Sequence, residues 1–177
     1  MKGYRDCTYT LTASLATDDQ LITEGTSYTA DLSFLESRRF YYPYTENSGD
    51  IRIIVTELST PASLQLFVTL DGSEPYSENH SYITEARDGR SGVIVIARTD
   101  TSFIPCTTPQ GCAVRMLLYG TSSNTGTFIL TASSSLSGTA LLWGVSVRDT
   151  LRAGAEALYI ARFDFSPLHP PQPQGIR

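Results

Sequence analysis

Apolar and polar residues alternate in short stretches along the whole chain, and turn residues separate these stretches. β-Branched and aromatic residues fill seven of them, which is a composition typical of strands. The predicted strands are Tyr9–Ala13, Arg39–Tyr44, Asp50–Glu57, Ser63–Leu70, Gly92–Arg98, Ala113–Tyr119 and Thr127–Ala132. Turn signals such as Asp71–Gly72 and Asp88–Gly89 lie between them. The pattern therefore predicts an all-β fold, an antiparallel, jelly-roll-like β-sandwich.

The predicted strand Arg39–Tyr44 is rich in aromatic residues, which alternate between its two faces. The aromatic residues that share one face are interpreted as core residues: Phe40, Tyr42 and Tyr44. Three further tyrosines either line the rim of a sheet or form a platform that binds sugar or peptide: Tyr41, Tyr76 and Tyr82.

A segment near the start of the chain, Thr8–Ser14, reappears with few changes as Thr127–Ser133, 119 residues later. The same offset superimposes further residues without a gap: Gly25 on Gly144, Ser27 on Ser146, Leu32 on Leu151, and Phe40, Tyr42 and Tyr44 on Tyr159, Ala161 and Phe163. A constant register over about 36 positions indicates a tandem repeat with a period near 119 residues, the size of one sandwich.

This repeat divides the chain into four predicted parts. They are the last strand of a preceding repeat (1–14), a complete sandwich (15–133), the opening strands of a following repeat (134–165) and a Pro-rich linker or tail (166–177). Two alternatives stay open. Strands that end in Thr-Ala-Ser resemble each other without being repeats, and Thr150–Phe163 also fits a helical spacing through Leu151, Ala155, Leu158 and Arg162.

Composition and charge exclude some partners. The chain has a formal net charge of −5 and a pI near 4.9, so it has no basic stripe that would bind nucleic acid. Its longest apolar runs, Gly92–Ala97 and Thr139–Val147, are far shorter than the roughly 20 residues that cross a bilayer, and no membrane span is predicted. The first residues contain no apolar signal core, so a secretion signal is expected upstream of this segment.

Three cysteines bear on the compartment. Cys106 and Cys112 bracket a short turn-like loop and are predicted to form a disulfide, whereas a pair of thiols or half of a metal site is the alternative. Cys7 is left over, and its partner is expected in another part of the protein. Asn79–Ser81 is an N-glycosylation sequon, so Asn79 is predicted to carry a glycan. Together these features predict a secreted or cell-surface glycoprotein.

Catalytic motifs are not found in the sequence. Both histidines, His80 and His169, lie outside the predicted strands, so no nucleophile–histidine arrangement is predicted. Nucleotide-binding and zinc-protease motifs are missing, and neither cofactor nor metal is predicted. Asp71 and Glu74 share a turn, and acidic residues in turns are more often solvated than bound to calcium. A calcium site at these two residues stays open as the alternative.

The middle of the chain, about residues 22–133, resembles the pre-peptidase C-terminal domain family. The residues that carry the resemblance are Arg39–Tyr44, Leu64–Val68, Pro75, Tyr82 and Gly126–Thr131. Members are small sandwiches appended to secreted proteases and surface proteins, so the resemblance implies a non-catalytic extracellular module. Phe67, where the family usually has Tyr, and the loop Cys106–Cys112 depart from the family pattern.

Two functions are weighed from these features. The first is a structural or adhesive module of a larger repeat-containing surface glycoprotein or filament, whose partners are neighbouring repeats, head-to-tail copies of itself, or glycans. The alternative is an accessory domain that binds carbohydrate or protein for a secreted peptidase. An enzyme in its own right is not expected.

Overall fold

The computed structural model describes residues 19–59, 62–108, 111–135, 139–141 and 159–161. These residues form eleven strands and no helix: β1 (Gln20–Leu21), β2 (Ser27–Leu32), β3 (Ser37–Tyr44), β4 (Ile51–Glu57), β5 (Ser63–Thr69), β6 (Tyr82–Arg87), β7 (Gly92–Ile96), β8 (Cys112–Gly120), β9 (Gly126–Ser134), β10 (Thr139–Leu141) and β11 (Tyr159–Ala161). No helix suited to crossing a membrane occurs in this part of the chain.

Nine of the strands form two sheets that pack face to face. Sheet A has five strands in the order β1-β3-β8-β5-β6, and sheet B has four in the order β2-β9-β4-β7. All pairs within them are antiparallel except β1 with β3. Strands β10 and β11 form a separate parallel pair. The predicted all-β sandwich is therefore confirmed.

The core lies between the sheets and is rich in aromatic side chains. Phe40, Tyr42 and Tyr44 are almost completely buried, as the alternation along β3 predicts. The Phe40 ring packs edge-on against Tyr28 at 5.1 Å and against Phe128 at 6.3 Å, so it joins the two sheets. Each fully buried apolar side chain of this size contributes about 1.5–3 kcal/mol to the hydrophobic stabilisation.

Six of the seven predicted strands are present, with ends shifted by one to two residues, and Tyr9–Ala13 lies outside the described residues. The prediction missed β1, β2 and β6, which are three of the four edge strands, whereas the fourth, β7, is apolar and was predicted. The three missed strands are short or carry several polar residues, so their apolar pattern is weak. In the central strands β4 and β9, the outer face is also buried at Ile54 and Ile129, which explains why alternation was only partial there.

Some predictions concern residues that the structure does not describe. The first predicted part, residues 1–14, and the Pro-rich part, residues 166–177, lie outside the described residues. Of the segment Thr150–Phe163, for which a helix was the alternative, only Tyr159–Ala161 is described, and it is a strand.

Loops gather at the two ends of the sandwich. The exit end, where β9 finishes at Ser134, also contains residues 22–26, 45–50, 70–81 and 97–108. The pocket end contains residues 33–36, 88–91 and 121–125. The residues of the predicted disulfide and glycosylation sites, Cys106, Cys112 and Asn79, lie at the exit end.

Candidate functional site

A carboxylate at the exit end ties three parts of the chain together. The Tyr42 hydroxyl donates a hydrogen bond to Glu24 Oε2, and the Ser134 backbone N–H donates to Glu24 Oε1 at 2.6 Å. Burial raises the pKa of Tyr42 above its ordinary range, and the Glu24 carboxylate raises it further. Tyr42 therefore stays a neutral donor, and the end of β9 is held against the loop before β2. Nothing in the local pattern around Glu24 marks it for this role.

The turn after β9 is held by a second set of hydrogen bonds. The Ser135 N–H donates to the Asp50 carbonyl oxygen at 2.7 Å, and the Asp50 N–H donates to Ser135 Oγ at 3.1 Å. The Arg98 N–H donates to Asp50 Oδ1 at 2.9 Å. The chain is thus fastened to the sandwich up to Ser135.

A disulfide joins Cys106 to Cys112, the two cysteines that the sequence predicts to pair, and their Cα atoms are 5.5 Å apart. Cys112 is the first residue of β8, and Cys106 is buried against the core. The preceding loop covers the core end, because the Tyr44 hydroxyl donates to the Ile104 carbonyl oxygen at 2.8 Å. The disulfide therefore anchors this loop at the point where β8 begins.

The sequon residue Asn79 is half-buried in the loop that follows β5. Its side-chain amide donates to Ser73 Oγ and to the Glu74 carbonyl oxygen, both at 3.0 Å. The amide thereby closes the turn that begins at Asp71. A glycan attached to Nδ2 replaces one of the two amide hydrogens and so removes one of these bonds.

The acidic pair in the same turn is engaged within the protein. Asp71 accepts the Ser73 hydroxyl at 2.5 Å and the Ser73 N–H at 3.0 Å, and these bonds lower the pKa of Asp71. Glu74 Oε2 lies 3.3 Å from Arg39. Within the described ranges no three His, Cys, Asp or Glu side chains are grouped so that they could hold a metal ion.

The three outlying tyrosines have different environments. Tyr82 packs against the core, and burial, followed by the nearby Asp100 carboxylate, raises its pKa to about 12. Tyr41 is half-buried opposite Arg115 on the outer side of sheet A, and Tyr76 is half-exposed in the loop after β5. Tyr82 therefore serves the core rather than a binding platform.

The pocket end has an open cavity of about 520 Å³, lined by Ala62, Ser63, Glu85, Arg87, Asp88, Thr121 and Ser122. Its polar side chains bond to one another. Ser63 donates to Glu85 at 2.8 Å, the Thr121 and Ser63 hydroxyls lie 2.9 Å apart, and Arg87 lies 3.2 Å from Asp88. The lining is therefore hydroxyl-rich and charged, as suits a hydrophilic ligand.

The two parallel strand pairs have the same register. In the first, Gln20 lies opposite Phe40 and Leu21 opposite Tyr41. In the second, Thr139 lies opposite Tyr159 and Ala140 opposite Ile160. Each residue of the second pair follows its counterpart in the first by 119 residues.

No protein-family model matches the chain, and no curated protein matches it in sequence.

Solved structures that are similar to the chain include the following three. The pre-peptidase C-terminal domain of a collagenase from Bacillus anthracis is 10% identical, with a TM-score of 0.49, and 68% of this chain covers 100% of that one. CorA, a surface-associated copper-binding protein of Methylomicrobium album, is 9% identical with a TM-score of 0.43 (66% and 98% covered). PliG, a periplasmic inhibitor of g-type lysozyme from Aeromonas hydrophila, is 14% identical with a TM-score of 0.37 (66% and 98% covered). The first of the three belongs to the family that the sequence motifs resemble.

Proposed function

We propose that this chain is a non-catalytic structural module of a larger extracellular surface protein in which the same sandwich recurs about every 119 residues. The observation that carries the proposal is the shared register of the two parallel strand pairs, displaced by the offset that the sequence repeat predicts. The parallel pairing of two very short strands depends on how the chain between them folds. The same register in β1 with β3 and in β10 with β11 therefore favours the same fold for the two intervening segments.

Burial in the first copy supports the same alignment. Between residues 20 and 44, five side chains are buried: Ile22, Leu32, Phe40, Tyr42 and Tyr44. The residues 119 positions later are all apolar: Leu141, Leu151, Tyr159, Ala161 and Phe163. A second core built from these positions needs such residues, whereas the exposed positions between them accept any residue type.

Backbone conformation gives further support. Between residues 20 and 46, two described residues have positive φ, Gly25 at 64° and Leu35 at 61°. The offset places Gly144 and Gly154 at the matching positions. Glycine adopts this left-handed conformation without the steric cost that other residues bear. Because only 13 of the 177 residues are glycines, the coincidence of both favours the repeat.

The extracellular part of the proposal rests on the disulfide between Cys106 and Cys112. Disulfides of this kind persist in oxidising compartments and are rare in the cytosol. Asn79 is proposed to carry a glycan added before the loop folds, because its folded amide is engaged in two hydrogen bonds. Intact-mass analysis of the native protein tests both, since recovery of free thiols at Cys106 and Cys112 contradicts an oxidising compartment.

A pair of neighbouring substitutions tests the repeat. In the aligned second copy, Tyr159 matches buried Phe40 and Leu158 matches exposed Arg39. Tyr159 is half-buried in β11, and Tyr159→Asp is expected to remove most of the hydrogen-exchange protection in β10 and β11, because it places a charge at a position that the repeat assigns to an apolar core. Leu158→Asp is expected to leave that protection within about twofold of the parent, because a charge on the wet face costs little.

A helix over Thr150–Phe163 predicts a different result. On a helix Leu158 shares the apolar face with Leu151 and Ala155, so Leu158→Asp would then be damaging. If Leu158→Asp lowers the hydrogen-exchange protection of β10 and β11 more than Tyr159→Asp does, the repeat is overturned and the sandwich has no second copy.

The polar cavity at the pocket end favours a second candidate, an accessory module that binds carbohydrate. Hydroxyl and carboxylate groups of Ser63, Glu85 and Thr121 converge there, and Arg87 lies at the rim. Titration calorimetry with a panel of soluble oligosaccharides tests it, with Glu85→Ala as the site variant and Glu46→Ala, at the exit end, as the control. Binding that Glu85→Ala removes and Glu46→Ala keeps supports this candidate, and no heat from any sugar rejects it.

A further inference from the structure

We propose that consecutive copies of the sandwich pack directly against each other at the exit end and are not joined by a free linker. The interface on the first copy is the surface formed by Glu24, Asp50, Arg98 and Ser135, and the partner is the second copy, which begins with β10. This inference rests on the repeat proposed above and adds how its units are joined.

The length of the connection is the first argument. Ser134 is bonded to Glu24 and Ser135 to Asp50, so the first copy holds the chain up to residue 135. Strand β10 begins at Thr139. Only residues 136–138 are left between the two copies. From Ser135 to Thr139 an extended chain reaches at most about 14 Å, so the second copy must begin close to the exit end of the first.

The position of β10 is the second argument. From Ser134 to Thr139 an extended chain would cover about 17 Å. Several Cα atoms of β10 nevertheless lie within 8 Å of Cα atoms of β9. Strand β10 therefore does not continue away from the sandwich in the direction of β9, and the first strand of the second copy lies beside the exit end of the first.

The chemistry of the exit end suits such a contact. Its carboxylates already accept hydrogen bonds from within the first copy. Asp50 accepts one from the Arg98 N–H, and Glu24 accepts one from the Tyr42 hydroxyl and one from the Ser134 N–H. Contact with a second copy therefore leaves fewer of the lone pairs of the two carboxylates without a donor. Interfaces between domains of one chain are commonly polar in this way.

An insertion tests the contact. The test uses a longer chain that contains the whole of the proposed second copy. A Gly-Ser-Gly-Ser segment placed after Ser137 lengthens the connection, and the same segment placed after Ser123 at the pocket end is the control. Backbone ¹⁵N relaxation is measured for the amides of β9 and β10. In the unaltered chain and in the control, both strands are expected to report one rotational correlation time. After the insertion at Ser137, β10 and β11 are expected to report a clearly shorter one, because a flexible linker uncouples the units.

A shorter Gly-Ser insertion after Ser137 is expected to give an intermediate correlation time. In each variant, hydrogen-exchange protection of β10 and β11 must show that the two strands are still paired, so that a shorter correlation time is not caused by unfolding of the second unit. Independent tumbling of β10 in the unaltered chain overturns direct packing, as does an unchanged correlation time after the longer insertion. Neither result touches the repeat, which the Tyr159→Asp and Leu158→Asp pair tests separately. If instead that pair behaves as a helix predicts, the repeat fails and this inference fails with it.

Discussion

The two ends of the sandwich are built differently. At the exit end, a disulfide, the Glu24 carboxylate and the Asn79 amide tie loops to the sheets. At the pocket end, a turn exposes Phe34 and Leu35 by more than half, and Leu35 has a left-handed backbone. The cavity beside it is lined by polar side chains that bond mainly to one another.

The exit end is therefore the more rigid of the two, and the pocket end is the more accessible. Loops fixed by buried tyrosines and a covalent bond lose little further entropy when another unit packs on them, so the exit end suits a permanent contact. The polar groups of the open cavity bond to one another, so they keep their hydrogen bonds when no ligand is present. The pocket end therefore suits a ligand that binds reversibly. The four predictions that follow test whether stability is concentrated at the exit end.

Alkaline pH should act on the exit end most strongly, because Tyr42, Tyr44 and Tyr82 all lie there and all have raised pKa values. Their neutral forms favour the folded state, so the stabilisation is complete below pH 10.0, the ordinary tyrosine value, and falls as pH rises above it. Tyr42 should contribute to this loss of stability, because burial and then the Glu24 carboxylate raise its pKa in the folded state. Urea unfolding measured at rising pH checks this.

Tyr42→Phe should remove part of that pH dependence, while Tyr76→Phe, at a half-exposed ring, controls for the loss of a hydroxyl. A free energy of unfolding that stays level through the alkaline range would show that the tyrosine hydroxyls ionise equally well in the folded protein, contrary to this account.

Removal of the disulfide should have the next largest effect. The Cys106→Ser, Cys112→Ser double variant is expected to lower the free energy of unfolding by about 2 kcal/mol, because the unfolded chain regains the entropy of a short loop. Urea unfolding under non-reducing conditions measures the loss. The unsubstituted protein should lose the same free energy of unfolding when it is unfolded with reductant. If both losses are well below 1 kcal/mol, the hydrogen bond between Tyr44 and Ile104 already holds the loop without the disulfide.

Asn79→Ala should lower the free energy of unfolding by about 1–2 kcal/mol, because it removes two hydrogen bonds from a half-buried turn. Ser81→Ala also destroys the sequon but leaves the Asn79 amide in place, so it serves as the matched control. Thermal unfolding of unglycosylated protein compares them. Equal stability of the two variants would show that the Asn79 amide does not hold the turn.

Leu35→Gly at the pocket end should have the smallest effect and the opposite sign. Glycine relieves the steric cost of the left-handed backbone at Leu35, and its greater freedom in the unfolded chain offsets part of the gain. A rise in the free energy of unfolding of up to about 1 kcal/mol is expected. Phe34→Gly, at the adjacent exposed residue without positive φ, should lower it instead, and a fall for both would remove the strain argument.

The sequence by itself determined the central strands, the pairing of Cys106 with Cys112 and the burial of Phe40, Tyr42 and Tyr44. These features depend on neighbours in the chain: alternation of period two marks a strand with one buried face, and a short loop brings two cysteines together. The 119-residue offset is also a property of the sequence alone.

Only the tertiary structure decided the roles of Glu24, Asp50 and the Asn79 amide, and three of the four edge strands, β1, β2 and β6. Glu24 bonds to Ser134 across 110 residues, and Asp50 to Ser135 across 85. No local pattern encodes such a partner, because a polar residue in a loop has the same sequence signature whether it faces water or a distant backbone N–H. The folded arrangement of the sheets brings those groups within hydrogen-bond distance, and burial then makes each bond matter.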